Sequence, residues 1–305
     1  MTMRSFAFFC LTFFTAPLLA QSDLLDELEG MEEGKVEYVT AAFKGTKIIN
    51  GQSSEIAGSG VLQFVFQHRF GSLSDDFFYN FLGLDNAQVR LSIDYSFNEW
   101  LNVGMGRSSF EKTYDGFVKA KLLRQCTGAK NIPLSLTLFT SAFINTLKFT
   151  GDLDPDLVNR MSYSTQLVIS RKFNNRLSLA ATPTLLHVNM VPEAQQNNTV
   201  LAIGMGGRYK LTQRLSLNLE YFPQLQKNSY SEGSGTSDFY NSLSVGFDIE
   251  TGGHVFQLFF SNSRGVIDPQ FIAESPGSWE DGDVYFGFNI SRVFTLKKPD
   301  LPMYN

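Results

Sequence analysis

Between Thr199 and Phe222 the chain alternates apolar and polar residues on both sides of a short polar break. Leu201, Ile203, Met205, Tyr209 and Leu211 fall on one side of the first arm, opposite Ala202, Gly204, Gly206, Arg208 and Lys210. After Thr212-Gln213-Arg214, Leu215, Leu217, Leu219 and Tyr221 oppose Ser216, Asn218 and Glu220. A period of two is the signature of strands, so the spacing predicts a tight hairpin. Each arm runs about ten residues, the length of a tilted strand that crosses a bilayer. A soluble β-sandwich offers the same alternation, so a single hairpin is not decisive.

Repetition along the chain carries the argument further. About twelve strand-like segments follow Ser59: 59–70, 87–97, 101–110, 114–124, 133–145, 161–173, 177–189, 199–211, 215–224, 239–249, 254–263 and 283–294. Their connections alternate between short ones (98–100, 126–131, 174–176, 212–214, 250–253) and mostly long ones (71–86, 146–160, 190–198, 225–238, 264–282). The exception is a brief connection near Ser109 to Thr113. The short ones share a sequence: Tyr95-Ser-Phe-Asn-Glu-Trp-Leu-Asn-Val, Lys172-Phe-Asn-Asn-Arg-Leu-Ser-Leu and Lys210-Leu-Thr-Gln-Arg-Leu-Ser-Leu. An even strand count with short turns at one rim and long loops at the other is the pattern of bacterial outer-membrane barrels. The expected fold is therefore all-β: a transmembrane antiparallel β-barrel with short periplasmic turns and long extracellular loops. A periplasmic sandwich is the competing architecture, and it has no reason to sort its loops this way.

Face assignments follow from parity. Leu62, Phe64, Phe66 and Phe70 oppose Gln63, Gln67 and Arg69; Val89, Leu91, Ile93, Tyr95 and Phe97 oppose Arg90, Ser92, Asp94 and Ser96. Val284, Phe286, Phe288 and Ile290 oppose Tyr285, Gly287, Asn289 and Ser291. Aromatics gather at strand ends, as interfacial girdles require. The inward face is expected to be small and polar, with Arg90, Asp94, Lys119, Lys121, Arg208, Lys210, Glu220 and Asp248 lining the lumen. Segments 114–124 and 133–145 alternate least cleanly. Parity also sets a test: Ile203→Arg is expected to be costly on the lipid side, and Gly204→Arg cheaper unless the lumen is packed.

Residues 1–20 read as a secretory signal, with Arg4, the apolar run Phe6 to Phe14 and a small-residue site at Ala20. Residues 21–58 form a periplasmic extension that either tucks into the barrel or hangs as a flexible leader; the barrel proper spans 59–295 and a tail 296–305. Twelve strands lie between barrels filled by side chains and barrels with open channels. Small lumenal residues suit a narrow polar pore and mixed charges suit a salt-bridged plug, and the sequence does not choose.

Composition removes several classes of function. With 25 Lys+Arg against 30 Asp+Glu over 305 residues, and no basic cluster, nothing points to nucleic acid. Past the signal, only Cys126 is left, so no disulfide forms within the chain. No cofactor motif is present.

Three segments carry a resemblance: Phe43-Lys-Gly-Thr-Lys-Ile-Ile-Asn-Gly, Gly60-Val-Leu-Gln-Phe-Val-Phe-Gln-His-Arg-Phe-Gly and Leu84-Asp-Asn-Ala-Gln-Val-Arg-Leu-Ser-Ile-Asp-Tyr. They resemble a domain-of-unknown-function family of Gram-negative outer-membrane β-barrels. The resemblance covers most of the mature chain and implies a fold and a location, with no reaction and no catalytic residues.

Barrel enzymes give little to match. His68, His187 and His254 are followed two residues on by Phe70, Asn189 and Phe256, so the His-x-Ser pair of phospholipase-type barrels is missing. The acid pairs Asp75-Asp76 and Glu280-Asp281 read as solvated loop charges. Asp152, Asp154 and Asp156 echo a calcium loop, but Leu157 and Tyr163 stand where glycine and a bidentate glutamate belong, so no metal ligand is assigned. The expected role is a narrow pore or transporter for small polar solutes. The alternative is a non-conducting barrel that presents loops 71–86, 146–160 and 264–282 to a partner. In either case, the expected surroundings are outer-membrane lipid and lipopolysaccharide.

Overall fold

A computed structural model describes residues 35–74, 78–81, 83–148, 155–191, 197–225 and 239–297. The signal-like segment 1–20, Asp75-Asp76, Asp152 and Asp154, and the tail beyond residue 297 lie outside the described residues.

In chain order the strands are β1 Val36–Tyr38, β2 Val61–Ser72, β3 Gln88–Ser96, β4 Leu101–Ser108, β5 Tyr114–Leu123, β6 Cys126–Gly128 and β7 Ser135–Ile144. They continue as β8 Met161–Lys172, β9 Leu177–Val188, β10 Thr199–Lys210, β11 Leu215–Phe222, β12 Ser242–Thr251, β13 His254–Ser261 and β14 Tyr285–Thr295. Among the described residues, twelve of these close into an antiparallel barrel, each beside its neighbour in sequence, and β14 pairs with β2 to complete the ring. Closure leaves no edge of unpaired backbone groups, a requirement in hydrocarbon where water cannot satisfy them. No helix among the described residues is long and apolar enough to cross a membrane.

The two faces are inverted relative to a soluble protein. Buried inward positions include Gln67, Arg69, Lys119, Ser164, Gln166, Ser216 and Glu220. Outward positions that stay exposed include Leu91, Ile93, Met105, Leu185, Leu201, Leu219, Phe247 and Phe260. An apolar exterior around a polar interior is what a lipid solvent selects.

The recurring turn sequence has a hydrogen-bond reason. Asn98 Oδ1 accepts the backbone N–H groups of Trp100 and Leu101 (3.0 and 2.8 Å), and Asn174 Oδ1 those of Arg176 and Leu177 (2.8 and 2.9 Å). Thr212 Oγ1 does the same for Arg214 and Leu215 (3.3 and 3.1 Å). A short polar side chain at the first turn position satisfies donors that the ladder leaves over.

Two details depart from the alternation. The expected turn 126–131 contains β6, which pairs with β1 outside the barrel, with Cys126 fully buried against the Lys130 carbonyl. The segment expected at 239–249 forms its strand at Ser242–Thr251 instead, leaving Gly252 and Gly253 as the hairpin link.

Candidate functional site

The lumen is occupied by the chain's own residues. Val39 N–H still bonds the Gln125 carbonyl beside β6 (2.9 Å), and the chain then runs inside the barrel. Ala42, Phe43, Ile48 and Ile49 are buried there, as are Asn50, Gln52, Ser53 and Ser54. Its tip is a tight turn in which Ile48 N–H donates to the Gly51 carbonyl at 2.9 Å. The next three amides converge on one carboxylate: Ile49, Asn50 and Gly51 donate to Glu220 at 3.0, 3.0 and 2.9 Å.

Wall side chains satisfy the remaining groups of the turn. Gln257 Nε2 donates to the Ile48 carbonyl (2.8 Å) and Asn289 Nδ2 to that of Ile49 (3.1 Å). Arg69 Nη2 donates to Asn50 Oδ1 at 2.7 Å while its guanidinium lies 4.3 Å from the Phe259 ring centroid. A buried turn whose backbone groups are answered by one bond of its own and otherwise largely by wall side chains is held as a bound peptide would be.

Four of the eight charged positions singled out in the sequence bond this lumenal segment directly. Lys119 Nζ donates to the Thr46 carbonyl (2.7 Å), and Lys121 pairs with Glu55 (3.3 Å). Arg208 Nη1 donates to the carbonyls of Ala41 and Ala42 (3.1 and 3.0 Å), and Glu220 holds the tip. Asp248 acts one step removed, accepting from the same Gln257 amide at 2.9 Å. Arg90 and Asp94 sit across the lumen: Arg90 forks onto Asp115 (2.9 and 2.5 Å), and Asp94 accepts from Asn102 (2.8 Å). Lys210, only partly buried, stands apart at the turn rim.

Parity alone was enough to place Arg69 inside with Gln63 and Gln67. Its role at the tip was not visible, because the partner is a residue of an aperiodic segment. Asn289 was likewise placed inward without its role at the tip, Gln257 was not singled out, and Asp115, whose partner is Arg90, lies in a segment that alternates least cleanly.

Apolar packing fixes the segment on the opposite wall. Phe43 and Ile48 cluster with Val168 and Ala180. Small wall residues make the room: a Cβ at Gly206 would lie 2.3 Å from Ile48 Cδ1, and one at Gly204 2.4 Å from the Phe222 ring. The lumen is packed at that level, so the condition under which Gly204→Arg is expected to be cheaper is not met.

A second element closes the lumen from the loop rim. The connection 264–282 does not stand out into solvent as expected. Residues Val266 to Ala273 are buried, with a single wide helical turn at Pro269–Ala273. Phe271, Ile272 and Ala273 pack on Leu186, Val200, Ala202 and Phe222, and Gln166 Nε2 donates to Asp268 at 2.7 Å. The apolar run of that connection drives it inward, where it finds a surface water would deny it.

Cavities among the described residues include a small one and a large one. One of about 30 Å³, room for about one or two waters, lies among Lys47, Arg90, Asp94, Asp115, Lys119 and Asp268. The other, about 770 Å³, is a bowl between the inward connection and the loop-rim ends of β7, β8 and β9. Glu274 and Glu111 line it, and burial lifts both carboxyls, Glu274 to about 8 with help from the neighbouring Glu111 charge.

The histidines do not form a constellation. His68 faces outward, stacked 5.0 Å from the Phe288 ring, while His187 bonds Thr199 Oγ1 (2.9 Å) and His254 lies by Phe256. Glu280 and Asp281 are exposed at the loop rim.

Solved structures with similarity to the chain include three proteins. The Salmonella typhi OmpF complex with daunomycin is 9% identical, over 77% of this chain and 97% of that one, with a TM-score of 0.39. Omp33 of Acinetobacter baumannii is 9% identical over 76% and 97%, at 0.41. The COG4313 outer membrane channel of Pseudomonas putida is 12% identical over 79% and 97%, at 0.44. No curated protein sequence matches the chain. A family profile described as "Membrane bound beta barrel domain" (DUF5777) matches residues 43–294, from the lumenal segment to the last strand, and the chain belongs to that family of membrane-bound β-barrels.

Proposed function

We propose that this barrel is an outer-membrane passage for small polar solutes, closed in the state described and opened when the lumenal segment leaves the wall. In this reading the short turns face the periplasm and the long loops the exterior. The observation that carries it is the chemistry of the contact between segment and wall. Lys119, Lys121, Arg208 and Glu220 hold the segment through hydrogen bonds and one ion pair. Such bonds exchange with water at modest net cost, and the apolar part of the contact is one cluster, Phe43 and Ile48 with Val168 and Ala180. Freed of the segment, the same side chains form a hydrated wall bearing both charge signs, suited to small polar solutes without strong charge selection. No catalytic role is proposed for any residue.

The inward connection favours a second reading. Because Phe271 and Ile272 also block the lumen, release of the segment alone leaves the path narrowed from the other rim, as in a non-conducting structural barrel. Planar-bilayer recording separates the two. The proposal expects ion conductance once residues 21–58 are deleted, and larger conductance when the connection 264–276 is shortened as well. Silence from all of these variants, each verified as folded, would establish the non-conducting barrel instead.

A further inference from the structure

We propose that the bowl at the loop rim binds an aliphatic amine, its chain against the apolar wall and its ammonium between Glu274 and Glu111. This goes beyond solute passage, since the bowl lies above the closed lumen and is formed whether or not the lumenal segment moves.

Size and lining set the ligand class. At about 770 Å³ the cavity is within the range of small-molecule sites. Met161, Val188, Val191, Ile267 and Pro269 supply an apolar wall that suits a hydrocarbon chain. The rest of the lining is polar, and its charged members among the described residues are Glu111, Glu274 and Arg160.

The charges differ in how far they are already committed. Arg160 donates to the carbonyls of Pro155 (2.8 Å) and Leu147 (3.1 Å), so its guanidinium braces its own loop. Glu111 receives one long bond, 3.4 Å, from Gln270 Nε2. Glu274 lines the cavity on the inward connection, and among the described residues its carboxylate has no hydrogen-bond or ion-pair partner. A carboxyl raised by burial and then by a neighbouring carboxylate, on the wall of a cavity, is what a primary ammonium satisfies: it offers three donors and cancels the repulsion at Glu274.

The proton balance gives the inference a second handle. Glu274 holds a proton up to about pH 8, and a bound ammonium favours its ionised form, so binding releases a proton to solvent. Affinity therefore climbs as pH rises towards 8, and levels off above it until the amine itself loses its charge near pH 10.

Octylamine, octanol and octanoate titrated calorimetrically into the full mature protein in nanodiscs, against empty discs, test this. The expected result is octylamine at least tenfold tighter than octanol at pH 8.5, weaker by tenfold or more at pH 6.5. Glu274→Gln should remove both the preference and its pH dependence, and Glu111→Gln should reduce them, with heat-modifiable migration confirming folded barrels. Equal binding of the three probes, octanoate binding tightest, or a Glu274→Gln protein that keeps the amine preference would overturn the proposal. Loss of conductance leaves it intact, and loss of amine binding leaves the passage reading intact, so the two fail separately.

Discussion

The Glu220 carboxylate accepts the Gly51 amide at 2.9 Å, joining a strand of the barrel to the tip of the segment that fills it. The same carboxylate takes the amides of Ile49 and Asn50, so one wall residue answers three consecutive donors. Glutamine offers one acceptor oxygen and turns an amide towards these donors. Hydrogen bonds to a charged group contribute about 1.5–3 kcal/mol each. Glu220→Gln is therefore expected to weaken docking of the segment by at least about 2 kcal/mol. Lys44 and Lys47 lie within the segment and report on it. Trypsin should spare these two sites in the wild type and cut the variant there, with the barrel still folded. Equal protection of the two proteins would remove Glu220 from its holding role.

Gly204 and Gly206 face the same lumen but different neighbours. A Cβ at Gly206 meets the end of the Ile48 side chain, which can rotate. One at Gly204 meets Phe222, whose ring packs edge-on against Phe271 at 5.0 Å and has nowhere to go. Overpacking a filled core costs about 1–3 kcal/mol. Gly204→Ala should fall in that range, and Gly206→Ala should cost less. Midpoints of heat-modifiable gel migration rank them, and a reversed order would refute the packing described around Phe222.

Arg90 and Asp115 form a two-bond ion pair that is buried on both sides. Removing one partner from such a pair leaves the other charged without compensation, at about 3–5 kcal/mol. Asp115→Asn is expected to destabilise the barrel by roughly that amount. A following Arg90→Met should recover part of it, since the stranded charge then goes. Denaturant unfolding of the four proteins in the cycle gives the coupling, and strictly additive losses would show that the pair acts as two independent side chains.

Much of this architecture was readable from alternation, and the reason it stopped being readable is physical. Parity placed Gln67, Arg90, Arg208 and Glu220 inside because their strands oppose one apolar and one polar face. It faltered at β5 and β7 because Phe117, Phe139 and Phe143 also point inward, Phe117 and Phe139 with ring centroids 5.4 Å apart, so both faces are apolar. Residues Thr40 to Gly58 have no period at all, since many of their backbone bonds go to side chains scattered over several strands and others stay within the segment. Glu220 could be read as lumenal, but not as a holder of backbone amides. The inward connection did leave a trace, for Val266-Ile267 and Phe271-Ile272-Ala273 are too apolar for an exposed loop.

Glu274 makes the loop rim sensitive to pH in a definite direction. Its carboxyl is raised from 4.5 to about 8, chiefly by burial and then by Glu111, so the folded state prefers the protonated form. The stabilisation from that proton is complete below about pH 4.5, declines through the interval and is lost once pH passes about 8. The thermal midpoint of the wild type should accordingly fall between pH 5 and pH 9 by more than that of Glu274→Gln, whose amide does not titrate. Glu111→Gln removes the neighbouring charge, lowers the upper end of the window and should give an intermediate fall. Heat-modifiable migration across this pH range measures all three. Parallel curves would mean that Glu274 is solvated, and the inward connection would then have to sit differently against the wall formed by Leu186, Val200 and Phe222.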